Sequence, residues 1–525
     1  MNPALSIPEV IRLVCNELDV KSSRATALTC RALLEPSLDR LWHTIEMFEP
    51  FISCLPPIAF NVVREEVPDK FTYLTPSKNF TQDHLQRYLT YYAPRIRSFT
   101  APYTWSRTLS NEFLLMLQLM TDNEPGALAP LARKVLWRSP ISTDRRSKAN
   151  LSAFMSLFVG TNVEDLTIPE YKAHPLYKAS VHANLKRISN QLKTLHVSGN
   201  YNTTTVQSCI TPHSWDSLRV LKINALSSAL LQFVASLPRL HTLEISDSGG
   251  MKSTLDQLAM PLVSPPGDFA SLRVLSVGSQ LASGAVWKVL KYLPSTNRVE
   301  SVKFISDFMA PASVGQGIIE AIVQHCNPKT LRSVVLVDEG LGIAMEDAGT
   351  EDSHFDEACA GSPLDVMSLE AFPRLDVLTL RWSASIQLTP QEMGRIPTTW
   401  PRIRHLDLCP PHYLNGRIPG LNHIPVLSLL RSCNFLDYLG LRFDTTQLTD
   451  LDGLSGEPSF PTLRTLRVGD SPISSPSRVL AFMKNRFPNL RDLDINYDTL
   501  DDERNRLTLL DRRWSAVVDG LDLKN

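Results

Sequence analysis

Apolar residues along this chain keep returning in one short figure: an aliphatic residue, another three positions on, and a third two positions after that. The figure is clear at Leu192-Leu195-Val197, Leu218-Leu221-Ile223, Leu240-Leu243-Ile245 and Leu272-Leu275-Val277. It returns at Val299-Val302-Phe304, Leu331-Val334-Leu336, Leu375-Leu378-Leu380 and Ile403-Leu406-Leu408. Leu436-Leu439-Leu441, Leu463-Leu466-Val468 and Leu490-Leu493-Ile495 complete the C-terminal run. Upstream, Val163-Leu166-Ile168 fits well, and Ala132-Val135-Trp137 and Ile96-Phe99-Ala101 fit loosely. The last two apolar positions alternate with polar ones, which predicts a short strand with one face buried. Between figures, Ala229 to Leu237, Ala285 to Leu293, Ile318 to Cys326 and Val479 to Phe487 carry apolar residues at helical period. Prolines follow at Leu237-Pro238, Leu293-Pro294, Phe372-Pro373, Phe460-Pro461 and Phe487-Pro488. Proline cannot continue a helix and pushes the preceding residue towards extended backbone. Strand, turn, helix and proline therefore form one repeating unit.

Successive figures start mostly about 22 to 36 residues apart, long enough to fit a full helix between strands. Over residues 96 to about 500 the chain resembles leucine-rich-repeat proteins. The fold that this implies is α/β: a solenoid with a curved parallel sheet and outer helices. The asparagine that the extracellular repeat type carries three residues after the third apolar position occurs only at Asn200, so the resemblance is to the irregular, helix-containing intracellular type. The second position of the figure is charged or His throughout, from Arg97 through Lys193, His241 and Arg332 to Arg491. Glu164, Glu300, Asp376 and Asp437 share that row, so it reads as a solvated edge and not as a basic stripe. One gap lies between Leu331 and Leu375, where nine acidic residues from Asp338 to Asp365 stand without a Lys or Arg. Such a stretch buries too little apolar surface to order itself, and residues 338–365 read as a flexible acidic insertion.

The first 48 residues break the repeat. Ser6 with Glu9 three later, and Pro8 between them, reads as a capping box opening a helix through Val10, Ile11, Val14 and Leu18. A second helix reads Ala25, Leu28, Ala32, Leu33, and a third, opened by Pro36, reads Leu38, Leu41, Trp42, Ile45. Three short helices make a marginal core, of the kind a partner completes. Ile7-Pro8-Glu9, then Leu18, then Ala27-Leu28-Thr29-Cys30-Arg31, then Leu41-Trp42, together resemble an F-box. Ile7 replaces the family's leucine, and Ala32 and Leu33 stand where an aromatic often follows Cys-Arg. The resemblance implies docking on the Skp-type adaptor of a cullin-RING ubiquitin ligase. Ile7, Pro8, Ile11, Leu18, Leu28 and Cys30 would be its contacting or supporting residues. The organisation expected is a helical module at 1–48, a linker and solenoid start at 49–95, and the solenoid at 96–525.

Composition adds exclusions. Hydrophobic residues make up 43% and the formal net charge is −1, so no global field draws the chain to nucleic acid or acidic lipid. The cluster Arg145, Arg146, Lys148 reads as a solvated loop. The eight cysteines are scattered without Cys-x-x-Cys spacing, which argues against zinc and for reduced thiols in the cytoplasm or nucleus. Glu9, Arg12, Glu17 and Asp19 interrupt any leader-like apolar run, and Phe113 to Met120 is too short to span a bilayer. Gly250-Met251-Lys252-Ser253 lacks the glycines of a phosphate loop. No cofactor, metal or catalytic set is expected, and the chain reads as a non-enzyme. The polar strand positions between Leu375 and Ile495 are rich in large anchors: Arg381, Trp382, His405, Asp407, Tyr438, Arg442 and Arg467. Arg, Trp and Tyr dominate binding hot spots, so a protein target is expected there, on the concave face. The alternative is a repeat scaffold whose helical start is only a solenoid cap.

Overall fold

The computed structural model describes residues 7–64, 72–101, 108–137, 152–168, 175–198, 203–247, 269–279, 286–307, 310–338, 363–383, 386–410, 419–449, 452, 458–495 and 509–521. The chain forms two compact units, Met1–Asn224 and Ala225–Asn525. The fold is that of a leucine-rich-repeat solenoid: parallel strands, one per repeat, with helices on one face. Asn200, the 250–253 stretch, the 145–148 cluster, Ser6 and residues 339–362 lie outside the described residues.

The first unit opens with helices α1 (Pro8–Asn16), α2 (Val20–Ala27) and α3 (Arg31–His43). Their boundaries correct the sequence reading. Helix α1 has Ile7 at its N-cap with no side-chain cap bond, whereas Asp19 caps α2 by accepting from Ser22 N at 2.6 Å. Helix α2 ends at Ala27 with Leu28 as its C-cap, and Cys30 becomes the N-cap of α3, so Ala32 and Leu33 belong to the third helix. Pro36 lies inside α3 and does not open it. The ring costs one backbone hydrogen bond, and packing of α3 against both α1 and α2 keeps the helix continuous. Strand β1 (Thr44–Ile45) comes directly after α3 and pairs in parallel with β4 (Ser98–Thr100). Strands β6 (Lys134–Leu136), β7 (Asp165–Ile168), β8 (Thr194–Val197) and β9 (Val220–Ile223) continue that sheet. A small mixed sheet of β2 (Phe60–Arg64), β3 (Thr72–Pro76) and β5 (Thr108–Leu109) stands beside it. No repeat signal announces it.

Among the described residues the second unit stacks nine parallel strands: β10 (Thr242–Asp247), β11 (Val274–Ser279), β12 (Ser301–Ser306), β13 (Ser333–Asp338) and β14 (Val377–Arg381), then β15 (His405–Asp407), β16 (Tyr438–Gly440), β17 (Thr465–Arg467) and β18 (Asp492–Asp494). Val334 pairs with Leu378 and Leu336 with Leu380, so the acidic insertion leaves the register unbroken. Its ends are ordered: Asp338 is fully buried, and Asp365 caps the 3-10 turn Val366–Ala371. A C-terminal helix, Leu509–Gly520, packs on the helix Pro476–Arg486. Its Trp514 is buried and donates from Nε1 to the Ser471 carbonyl at 2.8 Å.

Every apolar position of the fourteen figures is buried except Leu490, which is half-buried in the last one. Burying an aliphatic side chain is worth about 1.5–3 kcal/mol, so each repeat restates the same demand. The charged second position plays a backbone role as well. Arg273 N donates to the His241 carbonyl, Glu300 N to Arg273, Arg332 N to Glu300 and Asp376 N to Arg332, each at 2.8 Å. Arg404, Asp437, Arg464 and Arg491 extend the ladder. The side chains of this row pair across it, as in Lys193–Glu164 at 2.8 Å and Arg273–Glu300 at 2.9 Å.

Candidate functional site

Two regions gather the residues expected to meet partners. In the N-terminal module the small core consists of Ile11, Cys15, Ser23 and Ser37, with Cys15 Sγ 3.6 Å from Ser37 Oγ. Of the six residues singled out there, Ile7, Pro8 and Leu28 lie at the surface, and Leu28 is 82% exposed. Leu18 and Cys30 are half-buried, and the Leu18 carbonyl accepts from Arg40 Nε at 3.2 Å. Ile11 is a core residue, so it supports the surface and does not form part of it. Leu13, Val14 and Val20 are also large and exposed; the sequence reading assigned them no contact. Ile7 and Val14 are seven residues apart, two helical turns, and so share a face. The signal was present: α1 carries more apolar positions than a three-helix core can bury.

The module is fastened to the segment 88–95. Arg95 forms ion pairs with both Glu35 and Asp39 of α3 and lies over the Tyr91 ring, 4.6 Å from its centroid. Tyr91 donates its hydroxyl to Glu35. Trp42 packs against Tyr92 with centroids 4.5 Å apart and edge-on to Tyr88 at 6.1 Å. Among the described residues of 49–95, Phe51, Ile52, Leu55, Leu85 and Tyr88 are buried.

The second region lies on the open face of β14 to β18. Period two places Val377, Thr379 and Arg381 outward and Leu378, Leu380 and Trp382 towards the helices. Trp382 is accordingly fully buried, packs on Phe304, and donates to the Pro311 carbonyl at 3.4 Å. Its expected role as an interface anchor is overturned; strand parity makes it core. Asp407 faces outward yet is fully buried, because its neighbours close over it. It accepts from Arg381 Nε at 2.7 Å, Tyr438 Oη at 3.2 Å and the Cys409 amide at 3.1 Å. Arg467 Nη1 lies 3.6 Å from the same carboxylate, while its Nε is 3.4 Å from Asp494. Arg442 pairs with Asp470 in the same manner. A Cβ at Gly440 would collide with Asp407 Oδ1 and lie 2.6 Å from its Cγ, so glycine is what admits the carboxylate.

This network neutralises itself, with three guanidiniums against three carboxylates. Asp407 and Arg467 are structural, and Arg442 is mostly covered by its partner. His405 and Tyr438 stack with centroids 3.9 Å apart and, with Arg381, remain partly accessible. Burial lowers the pKa of His405, opposed by Asp407 and Asp437. Burial, reinforced by Asp407, pushes Tyr438 up to about 12. Burial works against the Arg381 charge, but Asp407 and Tyr438 more than offset it and its pKa is raised. The region thus offers an aromatic stack beside a guanidinium already held by Asp407.

Among the described residues no group of three or more His, Cys, Asp or Glu side chains is placed to hold a metal ion. None of their helices is long and apolar enough to cross a membrane. Burial pushes the thiols of Cys54 and Cys433 up to about 11 and that of Cys326 to about 12. Buried thiols of this kind are small hydrophobes.

No family model matches the chain, and no curated protein matches it. Among solved structures the chain is similar to one described as the crystal structure of the Rad7 and Elc1 complex in yeast. The two are 11% identical with a TM-score of 0.31, over 93% of this chain and 88% of the other. At that TM-score the likeness carries no argument about function.

Proposed function

We propose that this repeat protein is a substrate-recognition subunit of an SCF-type cullin-RING ubiquitin ligase. Its N-terminal helices bind a Skp-type adaptor, and through it the cullin, while the open face of its repeats binds a protein target. The observation that carries the reading is the exposed apolar set on the F-box-like module: Ile7, Leu13, Val14, Val20 and Leu28. Five large apolar side chains held in water on one small helical module suit a surface that a partner covers. On the open face, His405, Tyr438 and Arg381 are the accessible residues suited to a target. The chain would act by proximity and carry no catalytic group of its own, in the cytoplasm or nucleus where such ligases operate.

A second reading has its own support. Strand β1 and the Arg95, Trp42 and Tyr91 contacts bind the module to the first repeats as a cap would, which suits a scaffold without a ligase role. Affinity purification of the full chain from cells separates the two. Recovery of adaptor and cullin supports the ligase reading; stable expression without them supports the scaffold.

A further inference from the structure

The charged row at the starts of the strands changes character at its C-terminal end. Earlier in the second unit its charges are compensated, Arg273 by Glu300 at 2.9 Å and Arg332 by Asp376 at 3.9 Å. In the last four repeats the row reads Arg404, Asp437, Arg464, Arg491, three cations to one anion. All four side chains are exposed, and none of them is in an ion pair among the described residues. They line an open groove of about 1090 Å³ that also takes in Asn489 and Phe435. Phe435 is 58% exposed, an aromatic ring in water beside unpaired guanidiniums.

We propose that this groove binds an extended acidic peptide segment of a partner protein. Carboxylates of the segment would engage Arg404, Arg464 and Arg491, and an apolar residue between them would cover Phe435. Guanidinium forks match carboxylates in bidentate geometry. Neighbouring strands lie about 4.8 Å apart, so Arg464 and Arg491 are one spacing apart and Arg404 and Arg464 two, roughly 9.6 Å. Side chains on one face of an extended peptide repeat every ~6.8 Å, within the reach of flexible arginines at both spacings. Asp437 stands in the middle of the row. It would repel the unbroken charge of a nucleic-acid backbone, but a peptide avoids it by placing its apolar residue there. The groove shares no residue with the adaptor-binding or open-face sets, and the inference does not depend on the ligase reading.

The test uses the purified full-length chain and labelled peptides of about ten residues, one alternating Glu with apolar residues and one with Gln for every Glu. Fluorescence anisotropy should show binding of the Glu peptide alone, weakening as salt rises. R464E/R491E should weaken it at least about tenfold, and R464Q/R491Q less, while R332E on the compensated part of the row leaves it unchanged. The glutamine pair still gives a reading if charge reversal impairs folding. Equal binding of both peptides, or undiminished binding by either arginine double variant, overturns the proposal. So does tighter binding of a single-stranded oligonucleotide that the same variants abolish.

Discussion

At Gly440 and Asp407 a missing side chain and a buried charge depend on each other. Removing the Asp407 carboxylate leaves Arg467 buried beside a void and Arg381 without its main partner. Breaking a buried pair from one side costs about 3 kcal/mol or more. Gly440→Ala should destabilise through the same carboxylate, by overpacking worth ~1–3 kcal/mol. Urea denaturation of the two variants should lower the midpoint in both, and their double variant should fall short of the sum because they act on one site. Full additivity would show that the glycine serves something else. Asp338 supplies a pH-dependent counterpart. Burial raises its pKa from 3.8 to about 6, against hydrogen bonds from the Ser383 amide and hydroxyl and the Ala310 amide. The raised value means that its contribution is fully present below pH 3.8 and is lost as pH rises through about 6. That loss is on the order of 3 kcal/mol. Thermal melts of wild type and Asp338→Asn from pH 4 to 7.5 should show the wild type losing ground to the variant as pH rises from 4 to about 6, with little further change above that. A constant difference across that range would contradict the assignment. At this scale the sequence was half legible. Strand parity was enough to place Trp382 inside, but chemical type alone suggested an anchor. The burial of Asp407 depends on neighbours from three other repeats, which no local pattern reports.

The strands and their helices were the most legible elements, because every repeat imposes the same three buried positions. Helix boundaries in the N-terminal module were less so. Pro36 looks like a helix start, yet packing on α1 and α2 outweighs the single bond it removes. The small sheet of β2, β3 and β5 was invisible, since β5 pairs with β3 over only two residues and the three strands share no periodicity with the repeats. The acidic insertion is an element-scale test of register. Because β13 and β14 pair directly across it, replacing residues 341–362 with a short Gly/Ser linker should leave the sheet intact. Loop length enters stability logarithmically, about 0.6 kcal/mol per doubling. The melting temperature should therefore move by no more than about 2 °C, read by circular dichroism. A drop of about 10 °C or more would mean that the segment belongs to the repeat.

For the whole molecule, the repeat architecture follows from burial, but function rests on what the architecture leaves exposed. The N-terminal helices bury Ile11 and Cys15 and leave Leu28 and Val14 in water. The Arg95 and Trp42 contacts hold that apolar surface in fixed relation to the first repeats. An adaptor bound there would be positioned by the solenoid and not tethered loosely to it. The direct test is isothermal titration of purified Skp-type adaptor into the full-length chain and into its Pro8→Ala/Leu28→Ala variant. Both residues are exposed, so the variant should keep the wild-type circular dichroism and melting temperature. Truncating interface anchors costs on the order of 2 kcal/mol each. Saturable binding by the wild type is expected, with a loss of at least about a hundredfold in the variant. Undiminished binding by the double variant, or none by the wild type, would contradict adaptor docking on this module.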